Sequence, residues 1–245
     1  MPLRRKIKSR LPSIKFSMTL LLAYFAISQS ACNQLPCSNL IKTIKTVKAS
    51  DGSSVTATLV YDAGGRQRRM TNTNGRTNNY DYNVPGQLTL TIKKNGFPDQ
   101  IIIYTLDNNH VATSDNQGNT YFYTVFGAFL WLTKAQYSNY IDTRSILNDN
   151  IVSESQNYPS NPASDVTYTI TYVPTVHVCH SDGIGYLGME NLDWPHTMTS
   201  TQVGSGPSPI VTNYTYTYMF DSQNRVIQQA TSINGTLDRT NYYTY

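Results

Sequence analysis

The side chains best suited to chemistry in this 245-residue chain lie late in the sequence. His177-Val178-Cys179-His180, with Asp193 and His196 beyond, supplies the imidazole and thiolate donors that hold transition metals. On a strand, His177 and Cys179 share one face and His180 takes the other, so a common ion would require the strand to end there. The spacing matches no recognised ligand set. No cofactor is therefore expected, and His177, Cys179 and His180 stand only as weak metal candidates. Gly183-Ile184-Gly185-Tyr186-Leu187-Gly188 has the spacing of a dinucleotide loop, but no strand–turn–helix pattern surrounds it, and it reads as a plain loop. There is no Gly-x-Ser-x-Gly elbow, and Asp51, Asp62, Asp107 and Asp221 fall at turns where capping accounts for them. No catalytic set emerges and the expectation is a protein without enzymatic activity. A hydrolase acting on envelope polymers is the lesser alternative, since groups assembled from distant loops do not show in a sequence.

Aromatic residues are the other chemical resource, with 19 Tyr and two Trp. Their faces stack on sugar rings and apolar groups while their polar tips hydrogen-bond. Trp131, Trp194, Tyr214, Tyr216 and Tyr218 are the candidate ligand-binding residues. Trp131 lies in an apolar strand from Phe126 to Leu132, and Trp194 in a long connection spanning 181–196. The competing reading is that alternating Tyr simply covers a sheet, because Tyr is a favoured strand residue.

The first 31 residues read as a leader. Arg4, Arg5, Lys6, Lys8, Arg10 and Lys15 precede an apolar run from Met18 to Ile27, too short to cross a bilayer as a helix. Ser28-Gln29-Ser30-Ala31-Cys32 resembles the bacterial lipobox, which makes Cys32 the expected lipidation site; ordinary cleavage after Ser30 is the alternative. Residues 32–39 would form the tether, and 40–245 a single domain. Six of the 19 Lys and Arg fall in residues 1–31 and none of the 15 Asp and Glu, so the remainder carries −2, and the basic pI gives no support for a nucleic-acid partner. With Cys32 lipidated, Cys37 and Cys179 remain as a pair that an oxidising compartment could join.

Turn residues set the architecture. Asp51-Gly52, Gly64-Gly65, Asn74-Gly75, Pro85-Gly86, Asn95-Gly96, Asn108-Asn109 and Gly118-Asn119 recur at about eleven-residue intervals, leaving room for one strand between turns. Between them apolar and polar residues alternate, as in Leu88-Leu90-Ile92 and Tyr214-Tyr216-Tyr218-Phe220. The predicted fold is all-β, an antiparallel meander of about 14 strands forming a curved sheet or partly closed barrel. Residues 157–165 and 204–209 are expected as loops, with a brief helical turn between Asp182 and Asp193.

One pattern recurs in Tyr61-Asp62-Ala63-Gly64-Gly65-Arg66, Tyr82-Asn83-Val84-Pro85-Gly86-Gln87 and Phe220-Asp221-Ser222-Gln223-Asn224-Arg225. It resembles the Tyr-Asp repeats of bacterial surface proteins. Together with the lipobox-like leader, and with Gly188 ahead of Asn191-Leu192-Asp193-Trp194-Pro195, it is similar to a Bacteroidetes lipoprotein family, a domain of unknown function with a porin-like fold. That resemblance implies consecutive hairpins and no particular reaction.

The combined expectation is an exported protein held at the membrane through Cys32, binding a glycan, lipid or envelope protein. A structural role through sheet edges is the alternative. An integral outer-membrane barrel is disfavoured because Thr89, Thr91 and Lys93 occupy alternate sites that lipid would require to be apolar.

Overall fold

The computed structural model describes residues 40–126, 129–177, 193–206 and 208–245; the leader, Cys32, Cys37, Cys179, His180, the 183–188 loop and the expected helical turn lie outside them. The described chain forms sixteen strands: β1 (Thr43–Lys48), β2 (Ser54–Tyr61), β3 (Gln67–Asn72), β4 (Arg76–Asp81), β5 (Gln87–Lys94), β6 (Gln100–Leu106), β7 (Ala112–Asp115), β8 (Thr120–Phe126), β9 (Phe129–Gln136), β10 (Ile141–Leu147), β11 (Asn150–Asn157), β12 (Val166–His177), β13 (Asp193–Gln202), β14 (Ile210–Phe220), β15 (Val226–Ile233) and β16 (Thr236–Thr244). Each pairs antiparallel with its sequence neighbours, and β1 pairs with β16, so the sheet closes into a barrel. The meander read from the turns is therefore correct, and closure is complete rather than partial.

One rim of the barrel, here the terminal rim, carries the start of β1 and the end of β16; the other is the distal rim. Side chains alternate across the wall. Tyr80, Leu90 and Ile102 lie side by side on the inner face, whereas Asn79, Thr91 and Ile101 lie side by side on the outer. Inward residues are inaccessible to water over much of the wall, as at Leu88, Ala112, Val226 and Gln229. One packed cluster runs from Tyr80 on β4 to Ala135 on β9, a second joins Ala57 and Leu59 on β2 to Trp194 and Tyr243, and a third links Tyr168, Ile170, Met198 and Tyr216. Ring contact between Trp194 on β13 and Tyr243 on β16, 6.0 Å between centroids, passes over two intervening strands and so runs through the lumen.

Apart from residues such as the exposed Tyr242 and the buried Thr231, the strand Tyr face inward and the Thr outward for physical reasons. A Tyr ring removes a large apolar area from water while its hydroxyl still finds a partner. Tyr61, Tyr172 and Tyr218 each donate to a backbone carbonyl near the start of the preceding strand, Ile41, Ile151 and Pro195, at 2.6 Å, and Tyr245 donates to Val226 at 2.9 Å. Thr is β-branched, suits the strand backbone and tolerates water. Outer hydroxyls pair across strands, Thr43 with Thr244 at 2.8 Å and Thr171 with Thr197 at 2.7 Å.

Four hairpins share one turn. At Asp62, Asp107, Asp115 and Asp221, Oδ1 accepts from the backbone N–H groups two and four residues on, at 2.8–3.1 Å. The fourth residue of each turn is left-handed: Gly65 (φ 78°), His110 (63°), Gly118 (85°) and Asn224 (60°). In two of them Arg returns to the same carboxylate, Arg66 Nε to Asp62 Oδ2 at 2.8 Å and Arg225 Nε to Asp221 Oδ2 at 2.7 Å. Those guanidinium groups lie 4.7 Å over the rings of Tyr82 and Tyr245. Of the three recurring segments in the sequence, the one at Tyr82 is different: its capping acid is Asp81, whose Oδ1 accepts from Asn83 N–H. The hairpins at Asp107 and Asp115 join the set in its place.

Two sequence expectations need correction. The strands number sixteen, not about 14, because β7 has only four residues and the apolar run from Phe126 to Leu132 is divided between β8 and β9. The connection assigned to 181–196 ends early: Asp193 to His196 already belong to β13, with Pro195 opposite Tyr172 at a register shift, where a missing ladder donor is tolerated. The 157–165 loop is as expected, and contains a 3-10 turn at Pro162–Ser164.

His110 occupies a left-handed position that favours glycine. His110→Gly should raise the unfolding free energy by up to about 1 kcal/mol in urea titration, whereas β-branched His110→Val should lower it by about 1–2 kcal/mol.

Candidate functional site

β10 and β11 are joined through Asn148 and Asp149, both left-handed (φ 51° and 57°), the geometry of a tight two-residue hairpin. The register shifts by one residue between Ser145 and Ile146, and beyond that bulge Arg144 stands opposite Glu154 and Asp142 opposite Gln156 on the inner face. Thr143 and Ser155 fall on the outer face between them. The hairpin thereby delivers four polar side chains into the barrel just inside the distal rim.

Arg144 braces both acids. Its Nη2 lies 3.2 Å from Asp142 Oδ2 and its Nε 3.2 Å from Glu154 Oε2. Gln156 donates to Glu154 Oε1 at 3.1 Å. Asp142 and Glu154 are only 3% and 2% exposed. Asp142 Oδ1 is buried with no hydrogen-bond partner among the described residues, as is the hydroxyl of Tyr123 on β8. Burial, opposed by Arg144 and reinforced by Glu154, pushes the Asp142 carboxyl up to about 7.

Tyrosines line the mouth. Tyr137 and Tyr140 flank the β9–β10 turn and stack at 4.4 Å and 18°; Tyr140 stacks on Tyr158, past the end of β11, at 5.1 Å and 24°. Tyr121 meets the edge of Tyr137 at 6.3 Å and 85°. Burial raises the Tyr137 phenol to about 12 and lifts Tyr140, Tyr158 and Tyr168 as well; the Asp142 charge adds to each. Asp165 closes the far side, accepting from Tyr158 N–H at 2.6 Å.

The residues singled out by sequence fall elsewhere. Trp131 and Trp194 are buried, 0% and 3% exposed; Tyr216 is buried, and Tyr214 and Tyr218 are half-buried. All but Trp131 belong to the packed interior clusters, so a ligand reaching those faces would have to enter the barrel. His177 pairs through its backbone with Asp193, whose carboxylate accepts from Asn150 Nδ2 at 2.8 Å. His196 is exposed on β13. Among the described residues no group of three or more His, Cys, Asp or Glu is placed to hold a metal.

Sequence reasoning missed Asp142, Arg144, Glu154 and Gln156. Their signal was a period-two run of long polar residues, Asp142-Thr-Arg144 and Glu154-Ser-Gln156, on two strands sharing a short hairpin. With Thr and Ser on the other face, alternation alone did not tell inside from outside.

Two outcomes follow. The folded-state carboxyl of Asp142 stands above its ordinary value, so the folded protein holds a proton that the unfolded chain releases, and stability falls as pH rises from about 4 to about 7. Asp142→Asn should remove that loss, its Tm advantage over the parent widening through pH 7 in scanning calorimetry. Trp194→Ala should lower the unfolding free energy by about 3–5 kcal/mol in denaturant titration, because its ring fills the interior cluster shared by β2, β13 and β16.

No family model and no curated protein matches the sequence. Among solved structures, a porin-like protein from Bacteroides uniformis aligns with a TM-score of 0.60 at 20% identity, over 83% of this chain and 97% of that one. The TcdB2-TccC3-Cdc42 structure aligns at a TM-score of 0.29 and 16% identity, over 77% of this chain and 10% of that one, too weak a likeness to bear on the fold. The chain thus shares the porin-like barrel fold of the Bacteroides protein.

Proposed function

We propose that this is an exported, envelope-associated barrel, tethered through a diacylated Cys32 and standing outside the bilayer, where it binds a ligand without transforming it. The observation that carries the reading is the polarity of the wall. A membrane-spanning barrel presents an apolar band about 25 Å tall to lipid and keeps polar groups inside. Here the packed aromatic clusters are inside, and the outside exposes Lys45, Thr58, Arg69, Lys93, Thr143, Thr169 and Thr217 among apolar residues such as Val60, Ile101 and Phe122. Cys32 stands eight residues before Leu40 at the terminal rim, a reach of at most about 28 Å, so a lipid there would turn the distal mouth away from the membrane.

A non-enzymatic role suits the acid pair. In a two-carboxylate hydrolase the space between the acids admits the scissile bond. Between Asp142 and Glu154 that space is taken by the Arg144 guanidinium, which is ion-paired to both. A role through open sheet edges has less support, since β1 and β16 satisfy each other.

Cell fractionation tests the proposal. The parent protein is expected in the membrane fraction after carbonate washing, and Cys32→Ala in the soluble fraction; a Cys32→Ala protein that still resists carbonate would contradict it.

A further inference from the structure

Large apolar side chains stand open to water at the terminal rim. Val84 lies in the β4–β5 turn, Val125 near the tip of the β8–β9 hairpin, Leu147 at the end of β10, and Met219 and Phe220 at the end of β14; Val125 is 66% exposed and Leu147 59%. The four hairpins that carry them are distributed around the closed wall, so these side chains mark a ring at one end of the barrel. Single exposed apolar residues need no explanation, whereas a set held at one end marks a surface for an apolar partner. The distal rim exposes Phe97, Val203 and Ile210, but the chain toward Cys32 leaves from the opposite end. Leu40 lies beside the β2–β3 turn at Gly65, and Lys42 N–H donates to the Thr244 carbonyl at 2.7 Å, both at the terminal rim. Eight residues separate Cys32 from Leu40, so an acyl chain on that cysteine keeps this rim within about 28 Å of a bilayer. Two of the rim's turns neutralise their own charge, Asp62 with Arg66 at 2.8 Å and Asp221 with Arg225 at 2.6 Å. Asp107 and Asp149 in other turns leave the described part of the rim without a cationic surplus, which suits neutral headgroups better than anionic ones.

We propose that the terminal rim seats on the surface of a zwitterionic phospholipid bilayer, its exposed apolar side chains entering the headgroup layer while the wall above stays in water. Each side chain gains by leaving water, and the tether supplies the proximity that so small a contact area lacks. The polar Asp turns between the apolar side chains set the depth, because their carboxylates and backbone groups are too costly to carry into hydrocarbon. A tether alone leaves the barrel free to tilt; a ring of contacts around the rim holds it upright and presents the distal mouth, with its Tyr137–Tyr140–Tyr158 stack, to the solvent side. The inference rests on the reading of Cys32 as a lipid anchor. Failure of that reading shows in fractionation of Cys32→Ala, whereas failure of the seating shows as a rim that stays in water on protein that remains bound to membrane.

The test is depth-dependent fluorescence quenching. Protein purified in detergent as its cells make it, carrying Val84→Trp, Leu147→Trp or Met219→Trp on the terminal rim or Phe97→Trp on the distal rim, is reconstituted into phosphatidylcholine vesicles with and without bromine on the acyl chains. The parent protein, with Trp131 and Trp194 buried, supplies the background. Bromine is expected to quench the added fluorescence at all three terminal-rim positions and to leave Phe97→Trp unchanged. A second measurement removes the anchor: Cys32→Ala should bind the same vesicles weakly through the rim, come off in carbonate, and lose about tenfold in affinity when Val84→Ser and Leu147→Ser are added, with Tm unchanged because both side chains are exposed. Terminal-rim positions left unquenched on vesicle-bound protein, equal quenching at Phe97→Trp, or vesicle binding by Cys32→Ala that is absent or indifferent to the serine pair would overturn the proposal. So would a dimer in solution that the serine pair abolishes, which would assign the rim to a second copy of the chain.

Discussion

Everything in this structure depends on β1 meeting β16. Six residue pairs make that seam, from Thr43 opposite Thr244 to Lys48 opposite Arg239, between segments almost the whole chain apart. Closing so long a loop is entropically expensive, and the backbone ladder does not act alone. Inside the wall a polar chain crosses from β13 to β1. Tyr218 donates to the Pro195 carbonyl and accepts from Gln229 Nε2; Gln229 Oε1 accepts from Asn241 and Tyr243; Asn241 Oδ1 accepts from Thr46. Gln229 is wholly buried, so each bond it makes removes a desolvation cost that would otherwise oppose closure. Once closed, the sheet has no edge to offer another chain.

Closure also decides what the barrel can do. A sixteen-strand barrel has enough circumference for an aqueous channel, and membrane barrels of this size use it as one. Here tyrosines and aliphatic residues occupy the lumen at many levels, held by phenol-to-carbonyl bonds at the terminal rim and by ring contacts such as Trp194 with Tyr218 at 5.2 Å. Outside, Thr, Lys and Arg interrupt the apolar residues that a pore would present unbroken to lipid. What remains for function is the place where apolar packing gives way, the hairpin of β10 and β11, where Asp142 and Glu154 share one guanidinium beneath a stack of three rings.

The fold was readable because its turns are chemical. Asp62, Asp107 and Asp221 announce themselves by type and by the left-handed residue three positions later, and Tyr/Thr alternation marks the strands between. Closure was not readable, since the β1–β16 pairing is a property of accumulated twist and shear rather than of any local residue. The candidate site was not readable either. Trp194 drew attention by its chemistry, yet its apolar bulk takes it into the core; Asp142 gave no comparable signal, because polar residues fall on both faces of β10 in sequence.

The central claim is that the outer wall meets water. Spin labels placed singly at Thr58, Thr143, Thr169 and Thr217, all outward and exposed at separate points around the barrel, would report it with the protein held in native membranes. The account predicts relaxation enhancement by a water-soluble nickel chelate at all four sites, with little by oxygen; the opposite pattern, oxygen dominating around the circumference, would place the wall in lipid and contradict it.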